Sequence, residues 1–134
     1  RVVAAHDVGR AINPAGVEGQ IEGALHHGLG YALTEGLRMD GVTGQVLNPS
    51  FLDYRLATAL DMPRVETLLV EVPDETGPYG AKGVGENGML ATAAAVANAV
   101  YDATGIRVRD LPLTSQKILD AVPQNTGKAK RSSD

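Results

Sequence analysis

Asn13-Pro14-Ala15-Gly16-Val17-Glu18-Gly19-Gln20-Ile21-Glu22-Gly23-Ala24-Leu25-His26-His27-Gly28-Leu29-Gly30 is the stretch on which the fold turns. An Asn whose side chain can accept from an orphan amide, followed by a Pro with no amide to lose, marks a helix start. The spacing predicts a helix from Pro14 to about Glu35. Five glycines fall inside it, Gly16, Gly19, Gly23, Gly28 and Gly30, each costing on the order of 1 kcal/mol relative to Ala. At roughly 100° per residue, Gly16, Gly23 and Gly30 align with Gly19 on one side, and Val17, Ile21, Ala24, Leu25 and Ala32 line the other. Gln20, His27 and Thr34 border the glycine side. One face is therefore bare backbone, open to close approach by either another backbone or a ligand.

Outward from this helix, Val2 to His6 reads as a short strand, closed by the turn residues Asp7 and Gly9. Leu37–Met39 and Gln45–Leu47 flank a hairpin loop containing Gly41 and Gly44. Residues 48–61 fit a strand or an irregular helix equally well, and Val65 to Val72 fits a strand ending at Pro73. Glycines at 77, 80, 83, 85 and 88 exclude regular structure from that loop. No charge occurs from Asn87 to Tyr101, which predicts a buried helix over Met89–Tyr101. A short strand at Ile106–Val108 and a helix from Pro112 and Thr114 to about Ala121 complete the pattern. The expectation is a mixed α/β (α+β) domain over residues 1–124, with two long buried helices, starting near Pro14 and Glu86, on a small mixed sheet. A polar, disordered tail is expected over 125–134.

With 134 residues and a mass of 14.0 kDa, the chain has room for a single core. Its formal net charge of −4 and its few aromatic residues argue against nucleic acid as a partner. No apolar run is long enough to span a membrane and no export signal opens the chain, so a cytoplasmic location is expected. The chain contains no Cys, so it has no thiolate to offer a zinc ion, an iron–sulfur cluster or a nucleophilic mechanism. Redox chemistry would have to come from a borrowed cofactor. The sequence opens directly on a strand-like run without an initiator Met, as expected of a piece of a longer polypeptide.

Glu86 stands out in the glycine-rich loop, because it is the only carboxylate between Glu75 and Asp102. An acid entering an uncharged helix is held between a helix N-terminus that favours ionisation and burial that opposes it, a balance that suits a general base. A dipole or capping role in the first helical turn is the alternative. Lys82 can pair with Glu86, bind an anion or remain solvated. Gly83-Val84-Gly85-Glu86-Asn87-Gly88 also matches G-x-G-x-x-G, the basis of an alternative reading as a nucleotide-binding module using Gly83–Gly88. However, no strand runs into Gly83 and Glu86 would repel a pyrophosphate. A purely structural role for the glycines is a third reading. Glu22, His26 and His27 lack a third ligand for zinc, and no serine occupies a nucleophile elbow.

Taken together, His6-Asp7-Val8-Gly9-Arg10-Ala11-Ile12-Asn13-Pro14, Gly19-Gln20-Ile21-Glu22-Gly23, Gly28-Leu29-Gly30, Gly80-Ala81-Lys82-Gly83-Val84-Gly85-Glu86, Ala97-Asn98-Ala99 and Leu111-Pro112 resemble the xanthine dehydrogenase and aldehyde oxidase family of molybdenum hydroxylases. The resemblance runs from residue 3 to about 121 and is to the C-terminal part of the large molybdopterin-binding subunit. It implies a molybdenum–pyranopterin cofactor, often as the cytosine dinucleotide, with no metal ligand from this segment. It maps the catalytic base onto Glu86, which would take the proton from the hydroxo ligand of molybdenum. It also places Gln20 at the pterin and the amides of Gly83, Val84 and Gly85 close to the cofactor. Hydroxylation of an N-heterocycle or aldehyde with water as oxygen source follows, with 2Fe-2S and flavin groups on other domains or subunits. The rest of the molybdenum-binding subunit is an implied partner. The chain by itself is expected to be inactive.

Overall fold

A computed structural model describes residues 1–122. The predicted tail at 125–134 and the last two residues of the predicted 1–124 domain lie outside the described residues. Strand β1 (Val2–Asp7) leads into helix α1 (Pro14–Leu33), and strand β2 (Val65–Val70) follows after a hairpin and an irregular segment. Helices α2 (Asn87–Leu90), α3 (Thr92–Thr104) and α4 (Ser115–Ala121) complete the order.

The start of α1 follows its sequence signals. Asn13 Oδ1 accepts from the Gly16 amide at 3.1 Å, and Pro14 occupies the first turn. At the other end the Thr34 and Glu35 amides both donate to the Gly30 carbonyl, which closes the helix. Its apolar side forms the centre of the fold. Ile21 and Leu25 are buried with Ala4 of β1, and Val2, Val17, Val65, Leu69 and Val84 pack around them. At about 25 cal/mol per Å² of apolar surface removed from water, this cluster is the main stabilising contact between helix and sheet.

β1 and β2 are parallel, with Val2 opposite Val65 and Asp7 opposite Val70. The predicted strand at 2–6 thus extends by one residue, and that at 65–72 ends at Val70. The hairpin is reduced to a bridge between Met39 and Val46, its loop held by the Asp40 carboxylate accepting from the Val42 and Thr43 amides. Residues 48–61 are irregular, apart from a short 3-10 turn at Ala59–Asp61. Asn48, which carries no signal in the sequence, is buried. It accepts from the Arg38 amide and donates to the Gly36 carbonyl, both at 2.8 Å, so its polar atoms are satisfied.

The α+β class holds, and three details differ from expectation. The two strands form a purely parallel pair rather than a mixed sheet. Ile106–Val108 is extended but pairs with no strand among the described residues, so it is not a β-element. The uncharged helix is broken at Ala91 into α2 and α3, and within them only Gly88 and Thr92 are buried. The predicted burial of the uncharged helix is therefore not seen: the described residues cover only the flank that rests on α1. α4 begins as predicted, with the Thr114 side chain accepting from the Lys117 amide.

Candidate functional site

The glycine-rich segment is fastened to the end of β1 before it reaches Glu86. Gly9 bridges to Ala81 in antiparallel fashion, the Lys82 amide donates to the Val8 carbonyl, and the Arg10 amide donates to the Gly80 carbonyl. Gly9 has φ of 62°, and a Cβ there would collide with the Gly80 carbonyl and lie 2.8 Å from the Lys82 nitrogen. Only glycine permits this crossing. Lys82 Nζ pairs with Asp7 Oδ2 at 2.6 Å in a partly solvent-exposed ion pair, so it is engaged by Asp7 and not by Glu86. The Lys82 ammonium, then the Gly9 amide, hold the Asp7 carboxyl below its ordinary range.

Beyond Lys82 the loop is seated on α1. Val84 packs against the central cluster, and the Gly85 amide donates to Asn87 Oδ1 at 3.1 Å. Gly88 is buried against α1, where an added Cβ would lie 2.9 Å from Ala24 Cβ and 3.4 Å from the Ile21 carbonyl. Glu86 stands two residues from this contact, at the N-cap of α2, yet its side chain makes no capping bond. α2 is four residues long, too short to carry a useful dipole. Glu86 is exposed rather than buried, and it takes part in no ion pair among the described residues. Neither the capping role nor the predicted burial is seen.

Gln20 is also exposed, directly before Ile21 and four residues before Ala24, the two positions on which Gly88 rests. It lies between Gly19 and Gly23. A Cβ at either glycine would meet nothing within 4 Å, and the same is true of Gly83 and Gly85. By contrast, the space above Gly28 is filled by Thr92 and that above Gly30 by the Glu35 carboxylate. The glycine face of α1 is thus covered at its two ends, by the Asn13 cap over Gly16 and by Glu35 over Gly30, and open between them at Gly19 and Gly23, whereas Gly28 lies on the apolar side, where it makes room for Thr92. The amides of Gly83 and Val84 donate to no group among the described residues, whereas that of Gly85 is used by Asn87.

The remaining candidates resolve plainly. β2 ends at Val70, far upstream of Gly83, and the helix that follows the G-x-G-x-x-G stops at Leu90, so the dinucleotide geometry of strand, turn and long helix is not present. His26 Nε2 lies 2.8 Å from the Ala57 carbonyl. No cluster of three metal-ligating side chains exists among the described residues. No helix among them is long and apolar enough to cross a membrane.

Comparison with known proteins bears on this arrangement. A family described as molybdopterin cofactor-binding domain matches residues 1–63. The putative xanthine dehydrogenase molybdenum-binding subunit XdhA of Escherichia coli K12 is 39% identical over 120 residues, covering 90% of this chain and 16% of the relative. The aldehyde oxidoreductase molybdenum-binding subunit PaoC of the same organism is 42% identical over 124 residues, covering 92% and 17%. Among solved structures, quinoline 2-oxidoreductase from Pseudomonas putida 86 superposes with a TM-score of 0.83 at 33% identity, covering 91% of this chain and 16% of that one. The aldehyde oxidoreductase of Desulfovibrio desulfuricans superposes with a TM-score of 0.80 at 36% identity, covering 90% and 13%. The chain therefore spans about a sixth of the length of the curated relatives it matches.

Proposed function

This chain belongs to the molybdenum-binding subunits of the xanthine dehydrogenase and aldehyde oxidase family, and from that premise we propose that it supplies the general base, Glu86, and part of the cofactor cradle of a molybdenum hydroxylase. The substrate is an N-heterocycle or an aldehyde, and water is the source of the oxygen introduced. The family's cofactor, a molybdenum ion on a pyranopterin, supplies the oxygen-transfer and electron-accepting chemistry when bound. The remainder of the subunit and the iron–sulfur and flavin domains or subunits are the partners that make this chain part of an enzyme.

The observation that carries the reading is the open half of the glycine face. Gly19 and Gly23 cost the helix about 1 kcal/mol each relative to Ala, and no neighbour among the described residues needs the space they leave. Such positions fit a rigid group that comes within contact distance of backbone. Gln20 stands between them with a free amide able to donate and accept. The unused Gly83 and Val84 amides offer two more donors beside the same helix, while Gly85 contributes space rather than a donor.

Glu86 is suited to its part by what it lacks. Its carboxylate caps no helix and pairs with no cation among the described residues, so both oxygens are free to accept a proton. Its position is nonetheless fixed, because Gly88 is lodged on Ala24 and the preceding loop is held by Asn87 and by Val84. Position without engagement is what a proton acceptor needs before substrate arrives.

The test is Glu86→Gln in the complete enzyme. Turnover should fall by roughly 10²–10⁴, the range for loss of a general base, while molybdenum content stays at the level of the unmodified enzyme. Turnover within a few-fold of the unmodified enzyme would overturn the assignment.

A further inference from the structure

A groove of about 780 Å³ separates β1 from α3. Leu25 and Leu29 of α1 line it, together with alanine and valine positions of α3 such as Ala95 and Ala99. Neither Gln20 nor Glu86 lies on its wall. Its β1 wall is formed by consecutive residues, Val2 through His6, rather than by alternate ones. Side chains of a strand alternate between faces, so an unbroken run means that the groove follows the strand's edge.

Hydrogen bonding identifies that edge. The Val2 amide donates to the Arg64 carbonyl and the Val8 amide to the Val70 carbonyl, each at 2.9 Å, so even-numbered residues of β1 direct their backbone groups to β2. The odd-numbered residues Val3 and Ala5 direct theirs the other way. β1 pairs only with β2 among the described residues, and these outward groups have no partner there. A two-stranded parallel pair whose outer edges are unpaired among the described residues is an incomplete sheet, and the groove singles out the β1 edge, since parallel sheets are covered and extended in stable proteins.

We propose that the free edge of β1 and the groove beside it receive an extended segment from the remainder of the molybdenum-binding subunit, which adds a third strand to the sheet and seats α3 over it. The lining argues against a small molecule as the occupant. Of its polar side chains, the hydroxyls of Thr92 and Thr104 are donated to the Gly88 and Val100 carbonyls, Arg1 pairs with Glu66 and Asn87 accepts from the Gly85 amide, which leaves His6 as the one without a partner among the described residues, too few to orient a small ligand. Apart from the His6 ring, the unpaired polar groups along the wall are main-chain ones, and a strand satisfies those in register. The small side chains of α3 leave room for the inward side chains of that strand. The relatives are about six times the length of this chain, so polypeptide of the required kind is at hand. The inference rests on the chain's place in a larger subunit and is independent of the role given to Glu86.

Residue-resolved amide hydrogen exchange tests it in the complete molybdenum-binding subunit, purified without its iron–sulfur and flavin partners. The Val3 and Ala5 amides should exchange at least ~100-fold more slowly than in an unstructured peptide, at every protein concentration, as expected for a paired strand. Exchange at the unstructured rate would overturn the proposal. Protection that appears only at high protein concentration would assign the edge to a second copy, and protection that appears only on adding the partner subunits would assign it to them. Either result also overturns it. None of these outcomes depends on turnover, so failure here and failure of the Glu86 assignment are distinguishable.

Discussion

Within α1, Gly28 and Gly30 lie buried beneath Thr92 and Glu35, whereas Gly19 and Gly23, roughly one and a half to three turns earlier on the same helix, face open space among the described residues. The chemistry of the residue is identical in the two halves and its use is opposite. In the C-terminal half, the missing side chain lets another part of the chain come in, and the cost of glycine is offset by packing. At Gly19 and Gly23 nothing among the described residues offsets it. Comparing the two separates positions that serve the fold from positions that serve something outside it, without appeal to any bound group.

Several substitutions sharpen or break this contrast. Gly28→Val should be the most damaging, since its Cβ would sit 2.5 Å from Thr92 Cβ. A loss of about 1–3 kcal/mol is expected for such overpacking, read from the midpoint of denaturant unfolding. An unchanged midpoint would show that the two halves are not different. Asn13→Ala removes the cap that fixes the start of the open half and should cost about 1 kcal/mol in the same assay. Gly23→Ala should do the reverse, raising stability by roughly 0.5–1 kcal/mol. In the complete enzyme the same change should lower molybdenum content, measured by elemental analysis, because it fills the open face. Stabilisation with full molybdenum loading would break the contrast at its functional end.

The smallest effect concerns the tether of the glycine loop. The Asp7 carboxyl lies below its ordinary value because of Lys82 and the Gly9 amide. A depressed folded value means that the stabilisation is present above the unfolded value, near pH ~3.9, and is lost as pH falls through the folded one. An NMR titration of the Asp7 carboxyl should therefore show a midpoint below that of an unstructured Asp. Asp7→Asn should make the Gly9 and Lys82 amides exchange faster while leaving α1 unaffected. A midpoint at or above the ordinary value would show that the tether is absent in solution.

Much of this was legible in the residues themselves. Asn13-Pro14 located the main helix, Thr114 the last one, and the β-branched run from Val65 the second strand, because local hydrogen-bonding chemistry decides helix starts and strand propensity. Glu86, Gln20 and the glycine loop were visible as anomalies, a lone acid and a bare helix face. What was not legible is long-range. The pairing of Lys82 with Asp7 joins positions far apart in sequence, and Asn48 is buried by contacts with the hairpin that no periodicity reveals. The break at Ala91 follows from Gly88 docking on Ala24 and Thr92 on Gly28, a tertiary demand on a stretch whose composition reads as one helix. The uncharged face of α3 was read correctly as apolar and incorrectly as covered, since composition reports a need for burial and not the identity of the cover.

The seat of Gly88 on Ala24 links the interior of the molecule to the proposed proton acceptor across only two peptide units. Any enlargement of residue 24 would press on Gly88, and through it on the loop that carries the acid. The tolerance of proton transfer to misplacement, a fraction of an ångström, thereby becomes the tolerance of this small piece of packing. The buried methyl group of Ala24, under the start of α2, is in effect a gauge for the placement of Glu86.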